Sequence, residues 1–213
     1  TPCDDALPRL VLEAQNIDMD TVDPTLLQKY QSLVCALLYC SGNTRPDCAY
    51  AVGMLCRVTA RPTPELLDAA YRVLCYLDRT KSLGLCYERD DRNVHGACDS
   101  DWAVKHSTSG WAFRYCRAAL SWSSKRQKTV ALSSCEAEIM AASEGTKEAM
   151  YLNGHLSEMG LHDGSALEMG CDNQAAIALA HNPKYHDKSK HIKRRHFLRA
   201  RGGRERGNRR ALR

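Results

Sequence analysis

The 213-residue chain has no long apolar run. Its longest uncharged, apolar-leaning stretch, Tyr30 to Thr44, has 15 residues and includes Gln31, Ser32, Ser41, Gly42 and Asn43. A membrane-spanning helix needs about 20 mostly apolar residues, so no membrane partner is expected. The N-terminus, TPCDDALPRL, lacks a basic segment followed by an apolar one, and no secretory signal is visible. An initiator Met is missing as well, which suits a piece excised from a longer product. Closely spaced cysteines are also missing. The eleven fall at 3, 35, 40, 48, 56, 75, 86, 98, 116, 135 and 171, with no two of them two to four apart. A structural zinc site uses such close pairs to hold one tetrahedral ion, so none is expected. The count is odd, and Cys35, Cys40, Cys56 and Cys75 sit in apolar periodic segments. They read as small buried hydrophobes of a protein in a reducing intracellular compartment, cytoplasm or nucleus, that is not secreted.

The composition is that of a chain able to bury a core: 44% hydrophobic, 26% charged and 7% aromatic. Charge is unevenly spread. From Lys184 to Arg213 there are 13 Lys/Arg against 2 Asp/Glu, a net +11, and the remaining 183 residues carry net −6. A mildly acidic body with a strongly basic tail suits a polyanion partner or a solvated tail. His181, His186, His191 and His196 recur every five residues, but five residues advance a helix by roughly 500°, so they share no face and no metal cluster is expected there.

Residues 1 to about 92 read as helical, a region of packing and positioning. Leu26, Leu27, Tyr30, Leu33, Val34, Leu37 and Leu38 follow the amphipathic spacing, ended by Ser41-Gly42-Asn43. Pro46 opens a second helix through Leu55 and Cys56. Thr63 caps a third that begins at Pro64 and runs through Leu77. After Ser82-Leu83-Gly84 the period changes. Leu85 to Tyr87, Val94 to Cys98, Trp111 to Tyr115 and Ala119 to Trp122 read as strands of a meander. Trp102, Trp111 and Trp122 are expected in the core. Ser133-Ser134-Cys135-Glu136 is a capping box at the start of a long helix. Leu167 to Cys171 reads as one more strand, and Asn173 to Ala180 as another helix. The order βββαβα indicates a mixed sheet with packed helices, in the α/β (α+β) class. No internal repeat is present.

Three carboxylates stand where element ends bring them together. Asp99 follows the first meander strand, Asp172 follows the last strand, and Glu138 lies in the first turns of the long helix. Open sheets place sites at such strand ends. Carboxylates that converge repel one another unless a divalent cation neutralises them, which implies Mg²⁺ or Mn²⁺. Two such ions suit in-line displacement at phosphate. Asp101 is expected to be leaving the strand, and Glu136 to reach back to the Ser133 N–H as the capping-box partner, which leaves Glu138 free. Surface carboxylates at turns and helix starts remain the alternative reading.

The segments ACDSDWAVKHSTSGWAF, LSWSSKRQKTVALSSCEAEIMAASEGTKEAMYL, CDNQAAIALAHNP and HDKSKHIKRRHF resemble the ribonuclease H domain of copia-type retrotransposon Pol polyproteins. YQSLVCALLYCSGNTRPDCAYAVGMLCRV and AAYRVLCYLDRTKSLGLCY are similar to the thumb and connection end of the reverse transcriptase that precedes it. The resemblance covers roughly Leu26 to Leu198. It implies a ribonuclease H-like fold at 93–198, a thumb/connection-like region at 1–92, and a basic tail at 199–213 that matches nothing in the family. It also implies Mg²⁺ dependence and cleavage of the RNA strand of an RNA–DNA hybrid, in the setting of the rest of the Pol polyprotein. Residue by residue it carries the catalytic, metal-holding positions onto Asp99, Glu138 and Asp172.

Two departures accompany the match. Lys193 stands where the family has a fourth carboxylate, and a protonated Lys cannot ligate Mg²⁺. A degenerate relic that binds nucleic acid without cutting it is therefore the alternative function. The aspartate pair of a polymerase in its apolar setting is absent, since Asp4-Asp5 and Asp90-Asp91 stand in polar or proline-bearing contexts, so no DNA synthesis is expected. Substrate contacts are expected from the polar stretch Ser123 to Lys128, read as a loop, with Ser124, Lys125 and Gln127 foremost, and from Ser134. Hydroxyls and cations suit a phosphate backbone. Gln174 resembles a family position that faces the minor groove of the hybrid.

Overall fold

The computed structural model describes residues 1–89, 93–103, 106–174 and 177. The HDKSKHIKRRHF motif, Lys193, the evenly spaced histidines, Asp90-Asp91, the basic tail and most of the helix expected after Asn173 lie outside the described residues. The chain divides into two compact units, Thr1–Leu85 and Cys86–Arg213.

The first unit is helical: α1 (Leu7–Ala14), α2 (Pro24–Asn43), α3 (Ala49–Leu55) and α4 (Pro64–Arg79), with single 3₁₀ turns at Met19–Thr21, Pro46–Cys48 and Cys56–Val58. Proline at the first helical position opens α2 and α4. The Asp23 carboxylate accepts from the Thr25 and Leu26 N–H groups, and the Thr63 hydroxyl from Leu66 N–H. The core joins Val11, Tyr30, Val34, Leu37, Val52, Leu55, Leu66 and Val73. Tyr30 is fully buried and its hydroxyl donates to the Leu55 carbonyl at 2.9 Å, which removes the cost of an unpaired buried O–H. The cysteine expectation fails here: Cys35 and Cys75 are exposed, Cys40 and Cys56 half-buried. The apolar periodicity of α2 and α4 is wider than the stripe the core covers. Cys48, outside that set, is fully buried.

The second unit is a four-stranded sheet with a long helix packed on it. Strands β1 (His95–Asp101), β2 (Thr108–Tyr115) and β3 (Ala118–Arg126) form an antiparallel meander, and β4 (Glu168–Gly170) pairs in parallel with β1. The spatial order is β3-β2-β1-β4, and α5 (Ser134–Glu158) carries the crossover from β3 to β4. A mixed sheet of this kind with packed helices is the ribonuclease H-like α/β arrangement the sequence implies. Phe113, Val94, Leu152 and Leu156 fill one part of the interface, and Cys98, Ile139 and Cys171 another. Gly145 lets α5 approach closely, because a Cβ there would stand 2.8 Å from the Met169 sulfur.

Several boundaries differ from expectation. Leu85 to Tyr87 forms no strand. Cys86 and Tyr87 are exposed, and a triplet without a buried face gains nothing from a ladder. It is tethered instead by Tyr87 O–H to the Ala119 carbonyl (2.8 Å) and Glu88 N–H to the Cys116 carbonyl (2.9 Å). The stretch Ser123 to Arg126 is strand rather than loop, since β3 is an edge strand and its polar residues suit an edge. Asp101 remains paired with Thr108. Trp102 is 47% exposed, with its indole N–H donating to Ala131 O at 3.4 Å, and Trp111 and Trp122 are half-buried. No described helix is long and apolar enough to cross a membrane.

Candidate metal centre

The first turns of α5 are set by local chemistry. The Ser133 hydroxyl accepts from Glu136 N–H at 3.2 Å, as a capping box requires. The Glu136 carboxylate reaches back one residue further than expected and accepts from Leu132 N–H at 2.8 Å. That occupies Glu136 structurally and leaves Glu138 facing the sheet. Gln127 fixes the same region. It is buried, and its amide donates to the Ser109 hydroxyl (2.8 Å) and the Ala137 carbonyl (2.9 Å). Its amide N–H groups thus join β2 to α5 and do not reach outward to a ligand. This is where the structure departs from the substrate-contact expectation: a residue one past the end of β3 turns inward.

Glu138 is only 6% exposed. One carboxylate oxygen, Oε1, accepts from the Ser100 hydroxyl (2.7 Å) and the Ser100 N–H (3.1 Å). The other, Oε2, is buried without a hydrogen-bond partner. Burial holds the Glu138 carboxyl above its ordinary range; the Ser100 hydrogen bonds work against this, and the charges of Asp99 and Asp172 push the same way as burial. Ser100 had no signal in the sequence beyond standing next to Asp99. It shares a strand face with Cys98, the face α5 covers, and Asp99 alternates with both.

Asp172 is exposed, two residues past β4, and one of its oxygens lies within 4.8 Å of ligand atoms of Glu138 and Cys171. Asp99 is exposed, and its carboxylate accepts from Ser100 N–H at 2.8 Å. Its oxygens stand outside the 4.8 Å group, although its charge is felt at Glu138. The structure therefore gathers Glu138 and Asp172 tightly, sets Asp99 beside them, and adds Cys171. The Cys98 thiol donates to the Gly170 carbonyl at 3.6 Å and packs against Cys171. The neighbouring Cys171 and burial hold the Cys98 thiol above its ordinary range, and the Cys171 thiol is correspondingly lowered. Ser124 is half-buried, and Lys125, Ser134 and Gln174 are exposed.

An all-oxygen set of three carboxylates, one with a desolvated and unpartnered oxygen, fits a hard divalent cation. A cation would supply the missing partner of Glu138 Oε2 and offset the mutual repulsion that raises its carboxyl. The residues present thus fit Mg²⁺ or Mn²⁺.

The chain is 41% identical over 165 residues to the retrovirus-related Pol polyprotein from transposon TNT 1-94 of Nicotiana tabacum, a match taking in 76% of this chain and 12% of that protein. It is 36% identical over 173 residues to the retrovirus-related Pol polyprotein from transposon RE1 of Arabidopsis thaliana, covering 79% of this chain and 12% of that protein. It is also 44% identical over 128 residues to secreted RxLR effector protein 161 of Plasmopara viticola, covering 58% of this chain and 90% of that protein. The chain spans about one eighth of the length of the Pol polyproteins it matches. No family model matches it, and no solved structure does.

Proposed function

Because the chain belongs to the family of retrovirus-related Pol polyproteins of copia-like transposons, we propose that its second unit is a Mg²⁺-dependent ribonuclease H-type endonuclease that cleaves the RNA strand of an RNA–DNA hybrid. The single observation that carries this reading is the buried, unpartnered Oε2 of Glu138 facing a site shared with Asp172 and flanked by Asp99. A buried carboxylate oxygen without a donor costs free energy, and a bound cation removes that cost.

Asp99, Glu138 and Asp172 would hold the metal. When bound, it supplies activation of a water and charge stabilisation at the phosphate. Ser100 fixes the Glu138 carboxylate through two donors, so the oxygen it leaves free is already oriented. Gln127 anchors the first turns of α5 to β2 and holds Glu138 at the level of the strand ends. Exposed Lys125 and Ser134 and half-buried Ser124 offer a cation and hydroxyls for the hybrid's phosphates, and Gln174 offers an amide for a base edge.

The test is incubation of the purified chain with hybrid labelled on its RNA strand, in Mg²⁺ and in Mn²⁺. Shortened RNA with intact DNA is expected, and an uncut hybrid in both metals overturns the nuclease reading. Lys193, where the family carries a carboxylate, favours a second reading in which the unit binds hybrid without cutting it. Under that reading the chain shifts hybrid in a gel without shortening it. If only the fourth ligand is missing, Lys193→Asp restores cleavage with a Mg²⁺ dependence, because it returns an oxygen ligand at that family position in place of a cation.

A further inference from the structure

We propose that Glu138, Cys171 and Asp172 form a mixed sulfur–oxygen site for a thiophilic divalent cation such as Zn²⁺, overlapping the two carboxylates assigned above to Mg²⁺. One ligand atom from each residue lies within 4.8 Å of the others. Cys171 is 7% exposed and Glu138 6%, so two of the three donors are already out of water. Glu138 Oε2 has no partner, while Oε1 is held by Ser100. Bonds of about 2.3 Å to sulfur and 2.0–2.2 Å to oxygen put neighbouring ligands of a tetrahedral ion within about 4 Å of each other, so small side-chain shifts close the group.

The surroundings of Cys171 hold its sulfur in place. Cys98 packs against Cys171 in one buried cluster, and the parallel register of β1 and β4, which pairs Ala97 with Gly170, brings the two cysteines side by side. The Cys98 thiol donates its one proton to the Gly170 carbonyl at 3.6 Å, which ties β1 to the residue before Cys171. As the sulfur–metal bond forms, the Cys171 thiol proton passes to solvent, so binding releases one proton. Softness gives selectivity: Mg²⁺ takes oxygen donors only, whereas thiolate favours Zn²⁺, and the order of divalent affinities points the same way. Three protein ligands leave a fourth position open, the arrangement of an exchangeable site. A thiophilic ion seated there occupies Glu138 and Asp172 and excludes Mg²⁺ from them.

Cobalt(II) serves as the probe. The full chain, kept reduced, is titrated with Co²⁺ and followed by absorbance for the thiolate-to-cobalt charge-transfer band. One equivalent with that band is expected. Cys171→Ser removes it. Cys35→Ser, on the exposed face of α2, leaves it unchanged. Glu138→Gln, which keeps an oxygen acceptor for Ser100 and so preserves local packing, weakens cobalt binding at least about tenfold, the loss that even an outer-shell partner brings. Absence of the band in the unaltered chain, or an equal band in Cys171→Ser, overturns the proposal. Asp99→Asn separates the two readings. Asp99 lies outside the 4.8 Å group, so that variant keeps the cobalt band, and a chain that binds cobalt yet never cuts hybrid refutes the nuclease reading alone.

Discussion

Gly96→Ala tests how tightly β1, the strand that presents Asp99 and Ser100, is packed. Gly96 pairs with Phe113 on β2, and the aromatic ring lies across the space a side chain would fill. A Cβ at residue 96 would stand 2.3 Å from Phe113 Cε1, 2.7 Å from Cδ1 and 3.1 Å from Cζ. Ordinary contact begins at 3.4 Å, so the ring must retreat by about 1 Å. It has nowhere to go. Phe113 is fully buried among Val94, Leu152 and Leu156, and the Trp111 ring is 5.9 Å from it, tilted by 54°. Interiors at this density pass strain on rather than absorb it. Overpacking costs about 1–3 kcal/mol, and Ala recovers about 0.4–1 kcal/mol through the unfolded chain. A net loss of about 1–2 kcal/mol is expected.

The assay is urea unfolding followed by tryptophan fluorescence. Trp102, Trp111 and Trp122 are the chain's three tryptophans, and all lie in the unit from Cys86 to Arg213, so the signal reports that unit. With an m-value of about 2 kcal/mol/M, the midpoint falls by about 0.5–1 M. The double variant Gly96→Ala/Phe113→Leu makes room for the new methyl and recovers part of the loss relative to Phe113→Leu alone, a coupling of about 0.5–3 kcal/mol. An unchanged or raised midpoint for Gly96→Ala, or strict additivity in the double variant, refutes the packing argument.

Asp99→Asn removes one charge of the carboxylate trio and lowers hybrid cleavage by roughly 10²–10³-fold, in line with loss of one electrostatic stabiliser, while the urea midpoint stays put; undiminished cleavage in single-turnover assays contradicts the metal assignment. In the first unit, the Arg45 guanidinium is bidentate to Asp47 at 2.8 and 3.0 Å and holds its carboxyl below the usual range. Because the folded-state value is depressed, Asp47→Asn costs about 1–2 kcal/mol at pH 7, discounted for the exposure of Asp47. The difference from the unaltered chain narrows as pH falls below about 4 and disappears in stronger acid; circular dichroism melts across pH follow it. At the β2–β3 turn, Cys116 and Arg117 both have positive φ, 49° and 68°, which Asn and Gly tolerate and these residues do not. Cys116→Asn/Arg117→Gly therefore raises stability by about 1 kcal/mol, even though it removes the exposed Arg117–Glu88 ion pair at 2.8 Å, and a lower fluorescence midpoint refutes it.

What could be read from the chain was what local chemistry decides. The starts of α2, α4 and α5 are written in Asp23-Pro24, Thr63-Pro64 and Ser133–Glu136, because a cap bonds to backbone two or three residues away. The assignment of Glu136 to the cap was legible for the same reason, although its acceptor role falls on Leu132 N–H rather than on Ser133. Helix α1 had no named signal, since its N-cap makes no side-chain hydrogen bond. Gln127 stood in a run of charges and looked solvated. Only the extension of β3 to Arg126 and the partners Ser109 and Ala137 show it pointing inward. Trp102 and the exposed Cys35 and Cys75 err the other way, since an apolar residue type does not say whether another element will cover it.

The place where Glu138 meets Asp172 follows from topology more than from either residue. A parallel β1–β4 pair demands a crossover, and α5 is that crossover, so its N-terminal turns must lie over one end of the two central strands. The register then decides which side chains arrive there. Ala97 opposite Gly170 brings the next residues, Cys98 and Cys171, alongside each other, and the ones after, Asp99 and Asp172, to the open end. Alternation assigns Cys98 and Ser100 to the helix-covered face, and for that reason Ser100, not Asp99, bonds Glu138. A one-residue slip of β4 against β1 would take Cys171 and Asp172 out of the positions in which both stand beside Glu138. The short β4 strand, only three residues long, is therefore the element on which the carboxylate arrangement most depends, and at its middle Met169, paired with Gly96 on β1, fills the space that Gly145 leaves on α5.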